Sequence, residues 1–404
     1  MTTKTFHGGT VFLPDQIAQT SVTVADGHIV DIGGPGQGEA IDASGMILAP
    51  ALIDIHGDAF ERQIMPRPGV FFPIDTAVLE TDRQLAANGI ATTYHSITLG
   101  YEPGLRSVER GREMINALRR LAPRLTVENR VQLRWETFAD EAIDTLKWAM
   151  DLELTPSLAF NDHLSMSMRS RDTLIQDRLF EHHPDFALAD PTDDALFDMR
   201  HGKHAERSGL DYEPYKEMVW DVWQRRDNVP AKIKSVADMA RRKGIPMLSH
   251  DDTQPETRDF YRVLGVRVAE FPMTMAPTRA AREKGDLIIF GAPNAVRGGS
   301  HIGSLSAADM VEEGYCDALA SDYYYPALLA AVHRLDRENR ADRLALWSLV
   351  SSGPARAMQL YDRGEIRLGK RADLVLVEWP DNAVPVIRGT WVAGRAAYRS
   401  TCAA

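Results

Sequence analysis

The sequence predicts an α/β protein: a TIM-like (β/α)₈ barrel carrying a small β-domain. Three observations support this. Eight short apolar runs recur at 51–56, 90–95, 131–136, 154–160, 246–250, 267–271, 287–290 and 318–322. Helical periodicity falls between several of them, at 103–121, 232–243, 306–313 and 327–338. Runs of this length interleaved with helices favour a closed parallel barrel over an open sheet, and such a barrel keeps its chemistry at the carboxyl ends of its strands.

The third observation is that the two ends of the chain read alike. Residues 9–33 and 365–397 alternate apolar and polar groups in short runs broken by Asp-Gly and Gly-Gly turns. Both read as short antiparallel strands. The simplest organisation is one small β-domain from residues 1–50 and 360–404, with the barrel, 51–359, inserted between its halves. Residues 164–230 fit neither pattern, being long, polar and rich in Arg, Asp and His. Tyr215, Met218, Val219 and Val222 are spaced for one helix face within 214–226. The segment reads equally well as a lid over the site or as a surface excursion.

Composition narrows the function. The 404 residues carry 46 Lys plus Arg against 57 Asp plus Glu, a net charge of −11, which disfavours nucleic acid as a partner. A local arginine cluster can still bind one small anion. Cys316 and Cys402 are the two cysteines, too few to staple a chain this size and in keeping with a reducing compartment. No apolar run is long enough for a signal peptide or a membrane span. The expectation is a cytoplasmic protein without membrane or nucleic-acid partners and with a homo-oligomer left open.

Ionisable residues gather where the predicted strands end. His56 and Asp58, two apart in an extended run, project to one side. Glu136 ends the third run, Asn161-Asp162-His163 follows the fourth, Ser249-His250-Asp251-Asp252 ends the fifth and Asp322 closes the eighth. Taken singly, each is explained by an ordinary loop or ion pair. As an ordered set they supply enough ligands for two divalent ions, which lower the pKa of water and polarise a bond under attack. Asp322 is the candidate proton acceptor. Phosphate-binding loops, dinucleotide fingerprints and His-Glu-x-x-His helices are absent from the sequence.

Substrate-binding candidates come from two stiffened or glycine-rich segments. Met65-Pro66-Arg67-Pro68-Gly69 could preorganise Arg67, and Gly291 through His301 offers Arg297 and His301 beside consecutive glycines. A structural turn explains the second segment equally well. Tyr323 follows Asp322 as a candidate wall, and Asp251, Asp252, His95 and Arg258 are secondary candidates.

Leu52 through Asp58, Pro66-Arg67-Pro68, Ser249 through Asp252, Gly291 through His301 and Ser321 through Tyr324 together resemble the phosphonate-metabolism branch of the amidohydrolase superfamily. The likeness runs from about residue 8 to residue 397; Gly364 through Val375 marks the superfamily alone. The resemblance implies a barrel with a composite β-sandwich and two metal ions, zinc foremost and manganese or iron as alternatives. It implies His56, Asp58, Glu136, His163, His250 and Asp322 as ligands. Arg67, Arg297 and His301 would bind a small anionic sugar phosphate. The implied reaction cuts α-D-ribose 1-methylphosphonate 5-triphosphate to the 5-phosphate and pyrophosphate. The alternative is cleavage of a C–N bond in a cyclic amide or N-acyl compound. Three points depart from the pattern: Gly57 stands between the first two ligands, three tyrosines precede Pro326, and the superfamily pairs histidines on strands five and six. Either a strand lies within 164–230 or one ligand assignment fails.

Overall fold

The computed structural model describes residues 3–168, 174–177, 179–186, 194–299 and 305–400. All eight predicted barrel strands form, at Leu52–Gly57, Ile90–Leu99, Glu128–Glu136, Ser157–Asn161, Met247–His250, Val268–Glu270, Leu287–Gly291 and Ala318–Ala320. They lie in chain order in one parallel sheet. The first and eighth meet through a parallel bridge between Gly57 and Asp322, with the Asp58 amide donating to the Asp322 carbonyl at 2.9 Å and the Asp322 amide to the His56 carbonyl at 2.8 Å. Asp54 adds a side-chain clasp, accepting from the Ser321 amide at 3.0 Å and its hydroxyl at 2.5 Å. A Cβ at Gly57 would run into the Asp54 carboxylate and the Tyr325 ring, so this seam explains the glycine between the two candidate ligands.

Inside the barrel, Ile53, Ile55, Tyr94, Ala159, Leu248, Val268 and Ile289 fill the axis below the strand ends. Each large side chain so buried contributes about 1.5–3 kcal/mol, so the interior is a packed core and its chemistry is confined to the rim. The intervening helices form for local reasons. Ser107 caps Val108–Leu121 by accepting from the Arg110 amide, and Met114, Ile115, Leu118 and Leu121 bury one stripe. The other expected helices appear at Val229–Arg242, Ala307–Glu312 and Ala327–Arg337.

The terminal strands make two sheets. One has four strands, all amino-terminal: Lys4–His7, Val22–Ala25, His28–Ile32 and Glu39–Asp42. The other has six and joins both ends of the chain, pairing Ile47–Pro50 with Leu374–Glu378 in the register Leu374↔Pro50. Both sheets are mixed. Lys4–His7 runs parallel to Glu39–Asp42, and Thr10–Phe12 parallel to Ile47–Pro50, which corrects the all-antiparallel expectation. Phe6 and Trp391 meet edge to face at 4.8 Å in the core between them. We propose residues 1–50 with 360–404 as one domain and 51–359 as the other.

The segment 164–230 contains no strand among its described residues. It forms helices, chiefly Asp194–Ser208 and Tyr212–Trp223, the latter burying Tyr215, Val219 and Val222. No helix among the described residues is long and apolar enough to cross a membrane.

Candidate metal centre

Seven ionisable side chains converge on the carboxyl rim of the barrel. Three overlapping groups place their potential ligand atoms within 4.8 Å of one another: His56, His250 and Glu270; His163, His250 and Asp251; His56, Asp58 and Asp322. The strands dictate this. His56, His250 and Glu270 are strand residues, and Asp58, Asp251 and Asp322 follow their strands within two positions. Asp251, Phe271 and Asp322 have φ of +58°, +56° and +55°. Such left-handed conformations are costly for a phenylalanine, and here three of them turn the backbone away at the strand ends.

Glu270 is the hub of the centre. Its Oε1 lies 2.9 Å from His56 Nδ1 and its Oε2 2.8 Å from His250 Nδ1. Gln132 donates to Glu270 at 2.8 Å, and Ser96 donates to Gln132 at 2.6 Å. One buried carboxylate thus orients two nearly parallel imidazoles with centroids 5.3 Å apart. Burial works against its charge, but the two histidines hold the Glu270 carboxyl well below its ordinary range. Carboxylates backing the distal nitrogen of a histidine recur behind metal ligands.

The remaining charges are unbalanced in a way that suits cations. Burial, joined by the like charge of Asp58, pushes Asp322 up to about 6. His56 Nε2 is buried without a hydrogen-bond partner. The Asp322 carboxylate, which has no ion pair among the described residues, and an orphaned imidazole nitrogen fit divalent metal ions. His163 Nδ1 lies 2.6 Å from Glu136, and despite burial this pair holds the carboxyl at about 2 and the imidazole at about 9.

The sequence-predicted residues fall in different places. His56, Asp58, His163, His250 and Asp322 line one cavity of about 500 Å³ together with Asp251, Tyr323 and Arg297. Glu136 pairs with His163 and stands outside the three groups. Asp251, expected to touch substrate, lies 3.6 Å from both His163 Nε2 and His250 Nε2, among the candidate ligands. Asp252 points elsewhere, accepting from Ser249 at 2.7 Å and Arg258 at 3.1 Å in a buried network. Its partners and Asp286 consume Arg258 as well. His95 is buried against Asn129 at 2.7 Å, away from the cavity. Arg67 is exposed in a turn with Val70 and does not line the cavity; Arg62, Arg106 and Arg134 do. His301 lies outside the described residues.

Glu270, Arg62, Arg106 and Arg134 had no assigned role from sequence. Glu270 carried a readable signal, since it lies at the carboxyl end of the sixth apolar run, one residue before Phe271, much as His250 ends the fifth. Arg134 Nη1 reaches Asp58 at 3.4 Å and its Nη2 reaches His250 at 3.2 Å. Arg106 is held by Glu61 at 2.8 and 2.9 Å. These long side chains come from separate loops and strands, and only the closed barrel brings them together.

Known proteins share this architecture. A family model described as the amidohydrolase family matches residues 179–398. The chain belongs to the amidohydrolase family. It is also 30% identical over 368 residues to α-D-ribose 1-methylphosphonate 5-triphosphate diphosphatase of Escherichia coli strain K12, covering 89% of this chain and 90% of that protein. Among solved structures, an adenosine deaminase from Xanthomonas campestris with bound zinc matches with a TM-score of 0.60 at 13% identity, covering 97% of this chain and 92% of that one. A D-hydantoinase from a Bacillus species, AR9, matches with a TM-score of 0.61 at 14% identity, covering 98% and 95%. These two likenesses are of fold. This amidohydrolase is a metal-dependent hydrolase in architecture and in its histidine–carboxylate groups. It departs from the superfamily's paired histidines: its sixth strand ends in Glu270, and no strand lies among the described residues of 164–230.

Proposed function

We propose that this amidohydrolase cleaves a phosphoric anhydride in a small anionic sugar phosphate, with α-D-ribose 1-methylphosphonate 5-triphosphate as the leading substrate and the 5-phosphate and pyrophosphate as products. The observation that carries the reading is the arginine lining of the cavity. Arg62, Arg106, Arg134 and Arg297 all face it. Arg106 and Arg134 are engaged by carboxylates, while Arg62 and Arg297 have no carboxylate partner among the described residues. Arg62 lies over the Tyr323 ring at 5.7 Å. Unspent guanidinium groups in a concave site suit an oligophosphate and the charge that develops on a leaving pyrophosphate.

His56, Asp58, His163, His250, Asp251 and Asp322 are the proposed ligands for two divalent ions, zinc first. Such ions polarise the bond under attack and acidify the attacking water. Asp322, at the mouth of the eighth strand, accepts the water's proton. Glu270 keeps His56 and His250 in place, and Arg62 and Arg297 bind the phosphates. The identity to the Escherichia coli diphosphatase supports the same reading.

A second reading is C–N bond hydrolysis in a cyclic amide or N-acyl compound. The names of the fold's solved relatives, an adenosine deaminase and a hydantoinase, favour it, and the metal centre serves either bond. One substrate screen separates the two. Metal-reconstituted protein is offered the ribose triphosphate, with pyrophosphate release measured, beside a panel of hydantoins, dihydropyrimidines and N-acyl compounds. Turnover confined to the amides overturns the first reading. Arg297→Ala should raise KM for the triphosphate by about tenfold or more, as expected for loss of a charge-assisted contact. An unchanged KM and kcat/KM in that variant counts for the C–N reading.

A further inference from the structure

We propose that the cavity next to the metal centre is a second substrate subsite that takes an uncharged, hydroxyl-bearing group such as a sugar ring, leaving the arginine-lined cavity to the anionic part of the same molecule. This inference rests on the anionic-substrate reading above and adds where the hydroxyl-bearing ring between the anionic groups sits.

The second cavity has a volume of about 350 Å³, within the roughly 300–1,000 Å³ common for small-molecule sites. Arg106 and His163 line both cavities, so the two abut at these side chains. Both are spent on carboxylates, Arg106 on Glu61 and His163 on Glu136. The partition is therefore made of side chains already engaged with carboxylates, and neither offers a free cation to a substrate that reaches across it.

Beyond the partition the chemistry changes. The walls include Tyr101, Glu102, Met166, His201, His204 and Tyr215. Glu102 accepts from the Tyr215 hydroxyl at 2.5 Å and has His204 Nδ1 at 3.5 Å. Burial opposes its charge, yet these two partners keep its carboxyl below the ordinary value. Among the described residues, Arg106 alone of the lysines and arginines lines this cavity. A phosphate placed here would face Glu102 and Glu136 without a free cation, so like-charge repulsion excludes it. A purely apolar group would strip water from Glu102 and His204 without replacing its hydrogen bonds. A polyhydroxylated ring meets both demands, because its hydroxyls donate to the carboxylate while its C–H face packs on tyrosine and methionine.

The inserted segment finds a role in this arrangement. His201 and His204 come from Asp194–Ser208 and Tyr215 from Tyr212–Trp223. None of the three belongs to the metal groups.

The test uses the metal-loaded full chain and calorimetric binding of three probes: D-ribose 5-phosphate, inorganic phosphate and methyl β-D-riboside. Met166→Trp fills the cavity, and Glu102→Gln changes its polarity with little change in shape. Either variant should weaken ribose 5-phosphate by about tenfold, the scale of one or two lost hydrogen bonds, and leave inorganic phosphate unaffected. Equal losses for both probes, or no loss in variants that melt like the parent, overturn the subsite. If neither phosphate binds the parent, the anionic reading fails, and the riboside then judges the second cavity alone. Riboside binding that Met166→Trp or Glu102→Gln weakens supports the subsite; no riboside binding to the parent overturns it.

Discussion

His250 and Tyr215 each face a cavity beside the same metal centre, yet they are held in different ways. His250 ends a barrel strand paired on both sides, and its imidazole is fixed by Glu270 at 2.8 Å. His56 is fixed by the same carboxylate from across the barrel. Tyr215 sits on a helix added to the barrel and docks through Val219, Val222 and a bond to Glu102. The first arrangement allows tenths of an ångström, which metal coordination requires. The second is a packed surface that can be reshaped without disturbing a ligand. Reaction chemistry thus rests on strand ends, and the recognition we propose for the second cavity rests on the inserted helices.

The strongest way to break this comparison is to remove what both regions lean on. Ending the chain after residue 364 deletes three strands of the six-stranded sheet, and with them Val375, Val377 and Ile387, which pack against barrel residues such as Ala86 and Ile90. The truncated protein should lose cooperative melting altogether, as followed by calorimetry. An unchanged transition would separate the terminal sheets from the barrel and defeat the two-part domain proposal.

Asp322→Asn comes next. It nearly preserves shape and removes the basic oxygen, so metal-replete variant should lose about 10²–10⁴ in kcat, the span of general-base catalysis. Elemental analysis of the same sample separates lost chemistry from lost metal. Near-normal kcat at full metal content would strike Asp322 from the acceptor role.

Glu270→Gln sharpens the contrast between strand ends and inserted helices. It keeps the size of the hub while removing the charge shared by His56 and His250. Metal affinity should fall by about 10–100-fold, as for other partners behind metal ligands; competition with a chelator measures it. If Tyr215→Phe costs as much metal affinity as Glu270→Gln, the division between the two regions collapses.

The smallest effect belongs to Glu181, on the inserted segment. Burial pushes its carboxyl up to about 7, even though Thr253 and Thr257 donate to it at 2.5 and 2.8 Å. A raised carboxyl pKa means that the folded chain holds a proton the unfolded chain releases between about pH 4.5 and 7. Stability contributed by the neutral form is full below that window and is lost as pH rises through it. Glu181→Gln should match the parent near pH 4.5 and exceed it at pH 8 by on the order of 1–3 kcal/mol. Denaturant midpoints at the two pH values measure this, and a difference that does not grow with pH would show that Glu181 is ionised in the fold.

The sequence by itself determined the barrel and most of its rim. Each strand is a short apolar run, and several carry an ionisable residue at or just beyond the carboxyl end, a local signal that survives without knowledge of neighbours. His56, His250 and Asp322 were legible for that reason, and the helix through Tyr215 followed from its periodicity. Glu270 carried the same signal, but a glutamate at a strand end does not say which side chains it will face. Only the tertiary structure decided that it clasps two histidines from strands four places apart around the barrel. It also decided that Arg62, Arg106 and Arg134 line the cavity where Arg67 does not, that Asp251 joins the candidate ligands, and that Asp252 turns away to Arg258. The physical reason is reach. Long charged side chains project several ångströms from backbones far apart in sequence, and the barrel's closure, through Gly57, Asp54 and Ser321, sets where their ends meet.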